Sequence, residues 1–144
     1  MQPTLIIGGV ELSVIGWLDY EQSIEPISGS SVRRMANGAA FKSTHYRKHR
    51  ISISAGGWIP VALNGIDYDA PFEIELPMPV ALNVGETLPA GWSSRAAPFA
   101  EHPVTDQAGQ SVRYVYPKIT VIAEPPSQRN GRGSPSWELV CEEV

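Results

Sequence analysis

Apolar and polar residues alternate along several stretches of this chain with the two-residue period of a β-strand. The alternation is cleanest at Phe72–Leu76, where three apolar residues point to one side and two glutamates to the other. Ile51 and Ile53 alternate with serines at the end of the run 39–53, which lacks Gly and Pro, so we expect one long strand there or two strands in line. Apolar residues nowhere recur at helical spacing over a long stretch, so long helices are not expected.

Turn residues divide these β-prone segments. Gly8-Gly9 separates two short apolar runs and predicts a tight hairpin, because both glycines can adopt positive φ. Ser28-Gly29-Ser30 and Asn37-Gly38 predict two further turns. Additional strands are expected at Trp58–Leu63, Val112–Ala123 and Trp137–Val144.

Two segments carry Gly and Pro without any periodic pattern. The first, about 83–110, is predicted to be a loop excursion that contacts a partner, and the second, about 125–136, a mobile loop. Together these features predict a single domain over residues 1–144. Its fold is expected to be all-β, an antiparallel β sandwich or split barrel with two long Gly/Pro-rich loops.

Composition narrows the classes of protein. Gly and Pro number 13 each, which fits short strands and many turns, and the net charge of −4 argues against a nucleic-acid partner. Cys141 is the only cysteine, so no intramolecular disulfide can form, and synthesis in a reducing cytosol is expected. The first residues lack a signal-peptide pattern, and no apolar run reaches the roughly 18 residues of a membrane span, so no membrane partner is expected.

Charge is segregated in blocks. The charged residues of 1–32 are all acidic, those of 33–50 are all basic, and those of 51–94 are all acidic. These blocks could pair as neighbouring strands within the fold, or between copies in a ring, where complementary charge selects the partner. The interface candidates are the charged residues of the two later blocks and the polar or aromatic residues of the two loops: Arg33, Arg34, Arg47, Lys48, Arg50, Asp67, Asp69, Trp92, Arg129 and Arg132.

The dense basic cluster His45–Arg50 has two other interpretations. A metal site would use its two histidines, but they lie beside cations and no third ligand is near in sequence. Nucleic-acid contact would favour more aromatic residues than Tyr46 alone. A solvated strand face or an inter-subunit face is therefore the preferred interpretation.

Catalytic patterns are weak. Glu73 and Glu75 share one strand face, whereas a glycosidase needs two carboxylates that face each other across a substrate. Asp67-Tyr68-Asp69 lacks the Gly and the closing Glu of an EF-hand loop, which leaves only an irregular calcium site as an alternative. We therefore expect no enzyme activity, no cofactor and no metal.

Four tryptophans are spread along the chain, and core packing is expected for most of them. Trp92 lies in the first predicted loop and is expected to be an exposed interface anchor. Sugar stacking on Trp92 or Trp58 is the alternative, and it would make this chain a carbohydrate- or receptor-binding module.

A resemblance adds a specific hypothesis. The stretch Ser31–Lys48, followed by Ile53–Tyr68, resembles small tail-tip virion proteins of long-tailed bacteriophages, over roughly residues 5–80. The resemblance implies a distal-tail or baseplate component with a β-sandwich or split-barrel core. Such a protein forms a hexameric or trimeric ring between the tail tube and hub proteins, and the family has no catalytic residues to transfer.

The sequence therefore predicts a structural virion protein of a phage tail tip, located in the tail and assembled as a homo-oligomer. The alternatives are a carbohydrate- or receptor-binding β module and a capsid decoration protein.

Overall fold

The computed structural model describes residues 4–12, 20–83, 85–96, 101–105, 109, 111–131, 133 and 135–144, with backbone alone at 45 and 101–105. These residues form twelve strands and one short helix. The strands are β1 Leu5–Ile7, β2 Val10–Leu12, β3 Glu21–Arg34, β4 Ala40–Gly56, β5 Phe72–Glu75, β6 Val80–Asn83, β7 Trp92–Ser94, β8 Glu101–Thr105, β9 Ser111–Val115, β10 Pro117–Ala123, β11 Ser127–Arg129 and β12 Ser136–Glu143. A 3-10 helix spans Val61–Gly65.

The larger sheet has nine strands and is antiparallel throughout. Its order is β2-β1-β5-β10-β12-β4-β3, with β7 paired to β10 and β11 paired to β12. One face of this sheet is the core, because alternate residues of its strands are buried together: β12, for example, buries Trp137, Leu139 and Cys141. The 3-10 helix adds Leu63 to the same core. The predicted all-β, antiparallel, sandwich-like fold is confirmed.

The smaller sheet has the order β6-β9-β8. The predicted strand Val112–Ala123 is two strands in the structure. Strand β9 pairs with β6 and β8 in the smaller sheet, and β10 belongs to the larger sheet. Tyr116 lies at the junction, where its carbonyl accepts a hydrogen bond from the Arg95 N–H at 2.9 Å.

Several predicted elements are confirmed. The hairpin β1–β2 turns at Gly8 and Gly9, whose φ angles are +57° and +84°. The turn at Asn37-Gly38 joins β3 to β4, and the predicted strands at Phe72–Leu76 and Trp137–Val144 are β5 and β12.

Other predictions are wrong. The prediction of two long Gly/Pro-rich loops is not confirmed, because β7 and β8 lie within 83–110 and β11 lies within 125–136. These strands have three to five residues, too few for a visible period, and they form by pairing with longer neighbours.

Two further segments differ in local conformation. Trp58–Leu63 is not a strand; its last residues begin the 3-10 helix, where the Leu63 N–H donates to the Pro60 carbonyl at 3.0 Å. Ser28-Gly29-Ser30 is not a turn but part of the continuous strand β3, at a shift in its register with β4.

Candidate functional site

The two longest strands, β3 and β4, extend past the body of the larger sheet. Strand β12 pairs with β4 only from Gly56 to Arg50. Beyond Arg50, the described residues of β4 pair with β3 alone. We call the resulting two-stranded segment, residues 26–49, the arm. Its β3 strand, from Pro26 to Arg34, is about 30 Å long at about 3.3 Å per residue.

The tip of the arm is a defined turn. The Gly38 N–H donates to the Met35 carbonyl at 2.9 Å, and the Met35 N–H donates to the Ala39 carbonyl at 2.7 Å. Gly38 has a φ of +84°, and the Asn37 Oδ1 accepts a hydrogen bond from the Ala39 N–H at 3.0 Å. Asn37 and Gly38 therefore form a tight turn that joins β3 to β4.

A β-bulge lies half-way along the arm. Between the pairs Ser28↔Arg47 and Ser30↔Thr44, Gly29 faces two residues of β4. The ring of Tyr46 lies over Gly29 so closely that a Cβ there would be 2.2 Å from the Tyr46 Cε1. Gly29 thus leaves room for this ring across the ribbon and does not form a turn.

The arm is the basic part of the chain. It contains five of the 11 Lys and Arg residues and none of the 15 Asp and Glu residues, so it carries +5 and the remainder −9. The five cations are Arg33, Arg34, Lys42, Arg47 and Lys48. In the part of the chain that the structure describes, no carboxylate forms an ion pair with any of them.

The arm also exposes large apolar side chains. Val32, Met35, Phe41 and Tyr46 are between 55% and 61% exposed. An extended ribbon that presents both cations and apolar groups has the composition of a contact surface, and it has no core of its own.

The root of the arm is joined to the body by polar contacts. Arg50 donates to Glu25 at 2.9 Å and to Glu142 at 3.0 Å, and these two hydrogen bonds, the one to Glu142 first, raise the Arg50 pKa. The His49 backbone N–H and Nδ1 lie 3.1 and 3.0 Å from the Oε2 of Glu143, which is buried. The His49 ring also meets Trp92 edge-on, with centroids 4.8 Å apart.

The outer face of the larger sheet, on the side away from the core, is acidic, whereas the arm is basic. Cross-strand pairs place Glu142, Arg50 and Glu25 in one row, and Glu138, Ser54 and Glu21 in another. We call the exposed side of β3, β4, β10 and β12 over the body the acidic face. It includes a groove of about 520 Å³ lined by Tyr68, Asp69, Ile122, Ala123, Glu124, Val140 and Glu142.

The structure distributes the predicted interface residues among several places. It brings Arg33, Arg34, Arg47 and Lys48 together on the arm, whereas Arg50 is paired within the chain. Of the acidic pair, Asp69 lines the groove of the acidic face, and the Asp67 Oδ1 accepts a hydrogen bond from the Asp69 N–H at 3.0 Å. Arg129 lies on β11 at a second groove, which Glu21 and Glu138 also line. Arg132 lies outside the described residues.

The expectation that Trp92 is an exposed loop residue is wrong. Trp92 lies on β7 and packs partly buried against the core. Of the three tryptophans that the structure describes, the exposed one is Trp58, at 70%. The sequence indicated a loop because the Gly and Pro residues around Trp92 conceal a strand of three residues.

Sequence reasoning missed most of the acidic face. It described acidic blocks at 1–32, which includes Glu21, and at 51–94, and it named acidic interface candidates only in the second block. It did not identify Glu138 and Glu142 of β12. The alternation of Glu138, Val140 and Glu142 with three buried residues was the available signal for an acidic strand face.

Two further observations bear on the class of site. Among the residues described, none of the helical segments has the length and apolar character to cross a bilayer. Within the same residues, no three His, Cys, Asp or Glu side chains are grouped as a metal site would require.

The chain matches no protein-family model and no curated protein.

Proposed function

We propose that this protein is a structural subunit that assembles with copies of itself through the arm, as a ring in the tip of a bacteriophage tail. In this role the ring joins the tail tube to hub or baseplate proteins. The protein acts by ordered association and carries out no chemical reaction.

The observation that carries the proposal is the arm. A two-stranded ribbon that leaves the body by about 30 Å can reach a neighbouring subunit. Its five cations lack carboxylate partners among the described residues, while the remainder of the chain carries −9. When each arm docks on the body of the next copy without reciprocal exchange, the contact is heterologous, and such contacts close into rings when the rotation permits.

The phage tail tip is the more specific part of the proposal. It rests on the resemblance of Ser31–Lys48 and Ile53–Tyr68 to small tail-tip proteins, and 18 of the 24 residues of the arm lie within the first of these stretches.

The test of assembly is the mass of the full-length protein in solution, measured by light scattering across a concentration series at low and high salt. The wild type should form oligomers that dissociate as salt screens the charges. Arg33→Glu, on the arm, should weaken association, and Arg113→Glu, the same change in charge on β9 of the smaller sheet, should not. A wild type that remains monomeric at every concentration and salt level contradicts the proposal.

The test of location is the genes beside this one. Tail-tube, tape-measure and tail-fibre genes next to the coding sequence are expected. Their absence, together with an oligomer in solution, would support an assembly outside the phage tail.

A carbohydrate-binding module is the second candidate, because the Trp58 indole is 70% exposed. Exposed indoles provide flat apolar surfaces for ligands. A glycan array separates the two functions: specific binding that Trp58→Ala removes would favour this candidate.

A further inference from the structure

We propose that the acidic face of one copy is the surface on which the arm of a second copy docks. This inference rests on the proposed self-assembly and adds to it the surface that receives the arm. It commits to one occupant, a ribbon of the same chain.

Charge complementarity is the first argument. Glu21, Glu25, Glu138 and Glu142 lie on the outer side of the sheet, and Asp69 and Glu124 line its groove. The described cations of this face are Arg50, which is engaged by two of these carboxylates, Lys118, which pairs with Glu73, and Arg129 at its edge. The face is therefore negative where the arm is positive.

Apolar surface is the second argument. Ile122 and Val140 are exposed at 46% and 41% and line the groove of the acidic face, although they lie on core-forming strands. The arm has one exposed apolar side chain on each side near its tip: Val32, 61% exposed, pairs with Lys42, and Phe41, 58% exposed, pairs with Arg33 on the opposite side. Either side of the ribbon therefore presents an apolar group beside a cation. An interface needs apolar contact at its centre and charge around it, and these two surfaces together provide both.

The geometry excludes the simplest alternative, in which the arm covers the acidic face of its own chain. The arm continues the same two strands that carry Glu21, Glu25 and Arg50, and on both sides of the bulge at Gly29 its strands are paired as far as its tip. An extended ribbon cannot fold back across the sheet from which it emerges without breaking these pairs. The contact is therefore made between copies.

The test uses two charge-reversed forms of the full-length protein. The arm variant is Arg33→Glu, Arg34→Glu and Lys42→Glu; the face variant is Asp69→Lys, Glu124→Lys and Glu138→Lys. All six side chains are exposed, so both variants should keep the thermal stability of the wild type. Glu11→Lys, on β2 near the far edge of the sheet, is the control for a change of acidic charge.

Each variant alone should associate at least roughly tenfold more weakly than the wild type, because its arms and faces repel. An equimolar mixture should restore oligomers in which the two variants alternate. In that mixture each reversed arm meets a reversed face, and each basic arm meets an acidic face. Sedimentation velocity with one variant fluorescently labelled measures both outcomes.

Three results would overturn the inference, and they have different consequences. If the face variant assembles like the wild type while the arm variant does not, the arm docks elsewhere and the proposed function stands. If the wild type never assembles, the proposed function fails as well. If the wild type binds duplex DNA and only the arm variant loses that binding, the arm is a nucleic-acid contact and not a contact between copies.

Discussion

The arm and the body of this protein are built from the same two strands and are stabilised differently. In the body, Ile51 and Ile53 of β4 are fully buried, and β12 pairs along the adjacent edge. In the arm, the same strand exposes Phe41 and Tyr46 and pairs with β3 alone. Strand structure in the body is therefore supported by the core, whereas in the arm it depends on cross-strand hydrogen bonds and a tight turn.

The largest expected effect tests this difference with one type of substitution. Phe72→Ala removes a ring that is 9% exposed and meets Tyr68 edge-on at 6.0 Å, so it should lower the free energy of unfolding by about 3–5 kcal/mol. Phe41→Ala on the arm removes a ring that is 58% exposed and should change it by less than about 0.5 kcal/mol. Urea denaturation followed by circular dichroism measures both, and equal losses would mean that the arm is part of the core.

The next effect concerns the joint between the two regions. Glu143→Ala removes the acceptor of the His49 backbone N–H, which lies 3.1 Å from the carboxylate, and should cost about 1–3 kcal/mol. Glu142→Ala, at the neighbouring and more exposed carboxylate, should cost less. The comparison is made by urea denaturation, and a larger loss for Glu142→Ala would show that the joint depends on the Arg50 pair.

A third effect depends on pH and belongs to the body. Burial raises the pKa of the Cys141 thiol from 9.0 to about 12. Below pH 9.0 the thiol is protonated in the folded and unfolded chains; between pH 9.0 and about 12 only the unfolded chain loses the proton. Stability should therefore fall as pH rises through this window, by about 1.4 kcal/mol per pH unit.

Burial also raises the pKa of Tyr20 and of Tyr68, so a control must isolate the thiol. Cys141→Ala should reduce the slope of stability against pH above pH 9.0 and leave the contribution of the tyrosines. Thermal denaturation across the alkaline range measures the slope. An unchanged slope would mean that the thiol does not contribute.

The smallest effect compares two glycines with the same conformation. Gly9 and Gly38 both have a φ of +84°, and a Cβ on either would meet no atom within 4 Å. Gly9→Ala, in the hairpin of the body, should cost about 1 kcal/mol of global stability. Gly38→Ala should leave global stability unchanged and increase amide hydrogen exchange near the tip of the arm. Equal losses of global stability would show that the arm unfolds only with the body.

Much of the body could be predicted from sequence. The period of two at Phe72–Leu76 and the Gly8-Gly9 turn each correspond to an observed element, because local alternation and positive φ are properties of a few adjacent residues. Strands β7 and β11 could not be predicted, since each has three residues and forms by pairing with β10 or β12.

The candidate site was predicted in part. Four of the basic interface candidates lie together on the arm, as a block of like charge on paired strands should. The turn expected at Gly29 was wrong because the glycine accommodates the Tyr46 ring across the strand, a contact between residues 17 positions apart. Trp92 was placed in an exposed loop because the sequence contains no sign of its contact with His49.

The sequence by itself determined which short segments are β-strands, where the chain turns tightly, and how charge is divided into blocks. Tertiary structure alone decided which strands are neighbours. In the register between β12 and β4, Val140 pairs with Ser52 and the last pair is Glu142 with Arg50. Beyond Arg50, β4 therefore has no neighbour on that edge and forms the arm with β3. The physical reason is that alternation and turn chemistry act between adjacent residues. The length of the ribbon that lacks a third strand, and the negative charge of the sheet face, depend on residues that are distant in the chain.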